Sequence, residues 1–122
     1  MVRLMETGPK IAQKYIDRPL LFQGRKFTLR YVVNLKSLLP LQLYRHNEFF
    51  TQFANNQFTM SGNSFHEYET HFTVMNYGKD ITNIRCEPWI EMFNEDHKAK
   101  GLTFDQCQTK IDKVINDVFI AF

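Results

Sequence analysis

The chain has 122 residues, 43% hydrophobic and 15% aromatic, with twelve phenylalanines. That is one domain at most, and a chain of this size buries only about two-thirds of its unfolded surface. A formal net charge of +2, no basic run interleaved with aromatics and no long apolar stretch argue against nucleic acid and against a membrane as partners.

The opening Met1-Val2-Arg3-Leu4-Met5-Glu6-Thr7-Gly8-Pro9 lacks the apolar core of a signal peptide. Cys86 and Cys107 have no Cys-x-x-Cys spacing, so both read as free thiols and the expected location is the reducing cytoplasm. Residues 10–16 are rich in β-branched and aromatic side chains and read as an extended segment that Pro19 ends. A turn at Gly24 precedes the clearest strand, 26–35. Side chains along a strand alternate with period two. One face therefore carries Lys26, Thr28, Arg30, Val32 and Asn34, and the other Phe27, Leu29, Tyr31, Val33 and Leu35. The apolar row packs inward. The face with Lys26 and Arg30 admits two readings, a solvated outer surface or a site for a phosphate or carboxylate.

Lys36-Ser37-Leu38-Leu39-Pro40 reads as a connection and Leu41-Gln42-Leu43-Tyr44 as a second strand. Arg45-His46-Asn47-Glu48 reads as a polar hairpin turn and 49–53 as a third strand. Residues 55–64 form a polar loop. The period then changes. Pro88 suits a first helical turn, and Trp89, Ile90, Met92 and Phe93 predict a helix over about 87–97. Thr103-Phe104-Asp105-Gln106 is a capping-box sequence. It opens a helix over about 103–121 whose stripe of Phe104, Cys107, Ile111, Val114, Ile115, Val118 and Phe119 needs a partner. The expected class is α+β, a mostly antiparallel sheet over about 10–53 followed by two helices.

Three segments recur together here in a distinctive order. They are Gln13-Lys14-Tyr15-Ile16, then Lys26-Phe27-Thr28-Leu29-Arg30 after a turn, and His71-Phe72-Thr73-Val74-Met75-Asn76-Tyr77 downstream. In order and spacing the chain resembles the tubulin–tyrosine ligase-like family, from about Val2 to Phe122. The resemblance implies a partial ATP-grasp fold, ATP and magnesium as cofactors, and ligation of an amino acid to a carboxylate of tubulin or another protein acceptor. It places Gln13, Lys14, Tyr15 and Ile16 on a strand beside the adenine, Lys26 on the nucleotide phosphates, Thr73 near the nucleotide and Arg30 toward the acceptor.

The departures matter as much. By the same resemblance, active relatives carry an aspartate where this chain has Thr28 and an arginine where it has Gln52. Losing one charge-assisted hydrogen bond costs roughly 1.5–3 kcal/mol. The family's Thr-Asn pair is half kept, since Val74 follows Thr73 and Asn76 arrives two residues late. The family's metal carboxylates come from a later strand pair ending in Glu-x-Asn. The expectation is therefore a domain, 1–122, truncated before those strands, inactive alone, and marginally folded or self-associating. A second reading is a non-catalytic pseudo-ligase module that binds nucleotide or tubulin. A third is an antiparallel-sheet interaction domain with no nucleotide site.

Other candidates are weaker. Asp105, Asp112 and Asp117 fall at mixed helical phases and read as a solvated face. His66 and His71 fit neither the i, i+4 nor the i, i+2 spacing of metal ligands, and Cys86, His97 and Cys107 match no zinc pattern.

Overall fold

The computed structural model describes residues 8–62, 64–73 and 84–121. Its first half is a two-stranded antiparallel ribbon, β1 (Phe27–Leu38) and β2 (Leu41–Phe53). A short helix α1 (Tyr68–His71) follows, then α2 (Cys86–His97) and α3 (Phe104–Ile120). The class is α+β. Among the described residues no helix is long and apolar enough to cross a membrane.

Three expectations are corrected. Residues 10–16 lie outside any strand and are exposed. Their composition favours extension, but no strand among the described residues offers them a ladder. Arg45, His46, Asn47 and Glu48 are not a hairpin turn but part of β2. Tyr31 pairs with Phe49 and Val33 with Arg45, so β2 bulges across this polar stretch. The second and third expected strands are thus one. Reversal occurs between Leu38 and its partner Leu41, at Pro40, whose ring fixes φ and which has no N–H to give a ladder. β1 accordingly runs through the segment expected to be a connection.

The period of two holds where it was read most clearly. Phe27, Leu29, Tyr31 and Val33 are half-buried, while Thr28, Arg30, Val32 and Asn34 are exposed. Leu35 leaves this phase and is exposed. A second register shift falls between Leu35 and Ser37, where Lys36 is the extra residue.

The apolar face of the ribbon meets α2 and the first turn of α3 in an aromatic core of Phe22, Phe49, Phe53, Trp89, Phe93 and Phe104. Trp89 has no exposed surface and stacks on Phe22 and Phe93 at 5.4 and 5.1 Å. Such ring pairs add about 0.5–1.5 kcal/mol each beyond the burial of their area. α3 starts where its cap chemistry directs. The Thr103 N–H donates to Gln106 Oε1 at 3.2 Å, and the Phe104 N–H donates to Asn94 Oδ1 of α2 at 2.7 Å.

Beyond Phe104 the stripe of α3 is only partly covered, and Val114 and Val118 are exposed. A shallow groove of about 460 Å³ separates Leu29, Tyr31 and Val33 from Ile111, Val114 and Ile115. Polar bonds pin the helix there. Arg45 Nε pairs with Asp112 Oδ1 at 2.7 Å, and Tyr31 Oη donates to Gln108 Oε1 at 2.8 Å. The Arg45 guanidinium lies 5.1 Å from the Tyr31 ring centroid. Asp112 is therefore an anchor, not simply part of a solvated face. Burial, opposed by Arg45, pushes the Tyr31 phenol up to about 12.

Candidate functional site

A tight turn delivers Lys26. Phe22 and Arg25 exchange backbone hydrogen bonds at 2.9 Å, across Gln23 and Gly24 with φ of 49° and 75°. Glycine suits this turn, because a left-handed backbone strains other residues and a Cβ at Gly24 would press on the Gln57 side chain at 3.3 Å. Phe22 anchors one side of the turn in the core. The Arg25 guanidinium and the Gly24 carbonyl tie the other side to the loop, through Asn55 O and the Phe58 N–H.

Lys26 emerges half-buried. Its ammonium donates to Tyr15 Oη at 3.1 Å and lies 4.6 and 5.7 Å from the ring centroids of Tyr15 and Phe58. Tyr15 Oη is 2.7 Å from Nδ1 of the buried His71. On the other side of that imidazole, Nε2 is 3.3 Å from Ser64 Oγ, and Phe65 stacks on the ring. Next along the ribbon, Thr28 Oγ1 is 3.1 Å from Thr73 Oγ1. Thr28 is the cross-strand partner of Gln52, and Arg30 that of Phe50. Gln52 Oε1 is buried without a hydrogen-bond partner among the described residues.

Of the residues singled out in the sequence, Tyr15, Lys26 and Thr73 thus fall in one cluster with Thr28. Arg30 lies on the same face, exposed, one side-chain position beyond Thr28. Gln13, Lys14 and Ile16 are exposed on the non-strand segment. Val74 and Asn76 lie outside the described residues. Ser64 and the role of His71 had no signal in local spacing, because Tyr15 and His71 are 56 positions apart.

Chemically, this face offers an ammonium with spare N–H donors, an exposed guanidinium and a pair of neutral hydroxyls, a donor set suited to an anion. Among the described residues no group of three or more His, Cys, Asp or Glu could hold a metal ion. Cys86 and Cys107 are free. Burial raises both thiols above their usual range, which disfavours the thiolate that nucleophilic chemistry needs. His97 is likewise structural, with Nδ1 3.1 Å from the Phe93 carbonyl and its ring stacked on Phe93.

Comparison with known proteins agrees with the resemblance read from the sequence. The model of the Tubulin-tyrosine ligase family matches residues 1–122. A tubulin–tyrosine ligase-like protein 12 of Caenorhabditis elegans is 46% identical over 129 aligned residues, covering 99% of this chain and 19% of the relative. The Homo sapiens protein of that name is 34% identical, covering 98% and 19%. A probable tubulin polyglutamylase of Mus musculus is 38% identical over 63 residues, covering 52% and 13%. The chain spans about a fifth of the length of the first two relatives. No solved structure matches it significantly.

Proposed function

This chain belongs to the tubulin–tyrosine ligase family, and we propose that it supplies the phosphate-facing part of that family's nucleotide site within a partial ATP-grasp domain. Lys26 is the group that meets the nucleotide phosphates. One of its N–H bonds is committed to Tyr15 Oη, which leaves two to reach a phosphate. This held ammonium is the observation that carries the reading. Arg30 projects from the same face toward an acidic protein acceptor, tubulin being the acceptor named for the family. Thr28 presents its hydroxyl to the nucleotide, and the buried Thr73 stands behind it, hydroxyl to hydroxyl at 3.1 Å. Residues 13–16, whose backbone takes part in no ladder, supply groups for the base edge. ATP, when bound, supplies the phosphoryl group that activates a carboxylate for ligation. The described residues offer no convergent carboxylates for magnesium, so no step is assigned to a metal here.

A second reading is favoured by Thr28 and Gln52. The opposed pair is neutral, so a charged substrate carboxylate has no guanidinium to meet at that point. On this reading the site binds nucleotide without ligating an amino acid. The two share one test. Titration of the protein with ATP gives measurable binding that Lys26→Met weakens. Incorporation of labelled amino acid into tubulin then separates ligase from non-catalytic module. Absence of ATP binding would remove both nucleotide readings and leave a module that binds tubulin or the interaction domain.

A further inference from the structure

The hydrogen bonds behind Lys26 run in one direction only. Ser64 Oγ lies 2.7 Å from the Ser61 carbonyl and 3.0 Å from the Thr59 carbonyl. Carbonyls only accept, so the single hydroxyl hydrogen of Ser64 is spent on them. Toward His71, 3.3 Å away, Ser64 must therefore accept. That fixes the imidazole with its hydrogen on Nε2 and a lone pair on Nδ1. Nδ1, 2.7 Å from Tyr15 Oη, then accepts the phenol hydrogen. Tyr15 Oη keeps its lone pairs for Lys26, whose ammonium can only donate, at 3.1 Å. Reversing the His71–Tyr15 bond would break the Ser64 bond to the carbonyls or leave the phenol hydrogen without its acceptor.

We infer that His71 and Ser64 are positioning residues which, through Tyr15, aim the Lys26 ammonium at the ligand anion. The inference rests on the phosphate role proposed for Lys26. A lysine has a flexible four-carbon stem, and freezing it costs side-chain entropy. Here that ordering is built in before any ligand arrives. Ser64 and His71 are buried, at 1% and 9% exposure, whereas Tyr15 is 39% exposed. The buried end sets the direction and the exposed end presents the cation. Charge on the ammonium also polarises the Tyr15 O–H toward Nδ1, so the successive bonds reinforce one another. Tyr15 is thereby held edge-on to His71 and Phe65.

The test measures ATP affinity and the NMR signal of the Lys26 side chain in selectively labelled protein, with Lys26→Arg giving the assignment. Tyr15→Phe keeps the ring and deletes both bonds of the phenol. His71→Leu removes the acceptor. His71→Asn replaces Nδ1 by an amide oxygen that can accept from Tyr15. Expected are roughly tenfold weaker ATP binding for Tyr15→Phe and His71→Leu, equivalent to one hydrogen bond, a shifted Lys26 signal in both without nucleotide, and recovery of both readouts in His71→Asn. If His71→Leu does not fold, Tyr15→Phe decides alone. An unshifted Lys26 signal in a folded Tyr15→Phe protein, or His71→Asn as impaired as His71→Leu, would overturn the inference. Failure of the phosphate reading looks different. Lys26→Met would then leave ATP affinity unchanged, while the nucleotide-free Lys26 signal would still respond to Tyr15 and His71.

Discussion

Thr28 and Gln52 face each other directly across the ribbon as Cα partners. By the resemblance, these are the two positions at which active relatives carry an aspartate and an arginine. On the proposed reading, both departures therefore fall at one place on the ribbon. An aspartate opposite an arginine is a favourable cross-strand pair, and removing only one charge would strand the other against a partly buried partner. Losing both leaves a neutral pair with no net change in charge.

That pairing predicts coupling. Thr28→Asp and Gln52→Arg should each destabilise the fold, and the double variant should be better than their sum by about 0.5–3 kcal/mol, as for residues in contact. Urea denaturation of the four proteins measures this. Strictly additive effects would show that the two positions do not interact.

The aromatic core sets the stability. Trp89→Ala removes the ring that packs on Phe22, Phe27, Phe49, Phe93 and Phe104, and should cost about 3–5 kcal/mol. A midpoint shift in chemical denaturation tests it. A loss below about 1 kcal/mol would mean that the core does not centre on Trp89.

Tyr31 gives stability a pH dependence at the alkaline end. Its folded value is about 12, against 10.0 for the free side chain. Between those values the unfolded chain has lost the proton and the folded one retains it. Stability is thus fully present below pH 10 and falls as pH rises toward 12. Ultraviolet titration should show Tyr31 ionising late, and Tyr31→Phe should abolish both that step and that share of the alkaline loss. A fall unchanged in Tyr31→Phe would assign it elsewhere.

The uncovered stripe of α3 predicts association. Val114 and Val118 are exposed one helical turn apart beside the apolar groove, and exposed apolar patches favour contacts between molecules. Sedimentation should show concentration-dependent self-association, reduced by Val114→Lys with Val118→Glu. An ideal monomer at all concentrations would contradict this.

The legible parts of the fold were those fixed by neighbours in sequence. Alternation from Phe27 to Asn34 reports directly which side chains are buried, and Thr103 with Gln106 spells out its own helix start. Arg45 to Glu48 misled because its polarity looks like a turn. Arg45 is instead drawn into β2 by Asp112, 67 positions away, and no local pattern carries that. Residues 10–16 misled for the converse reason, since their composition favours extension but only a partner strand makes a ladder. At the candidate site, Lys26 was visible through its face and its resemblance. The groups that hold it, His71 and Ser64, were not, because tertiary folding alone brings them to Tyr15.

The most direct test of the central claim is a binding series of ATP, ADP, AMP and adenosine on the wild type and Lys26→Met. If Lys26 meets the phosphates, the wild type prefers ATP over adenosine, and Lys26→Met loses most of that preference while keeping its affinity for adenosine. Equal weakening of all four ligands, or no change in any of them, would contradict the account.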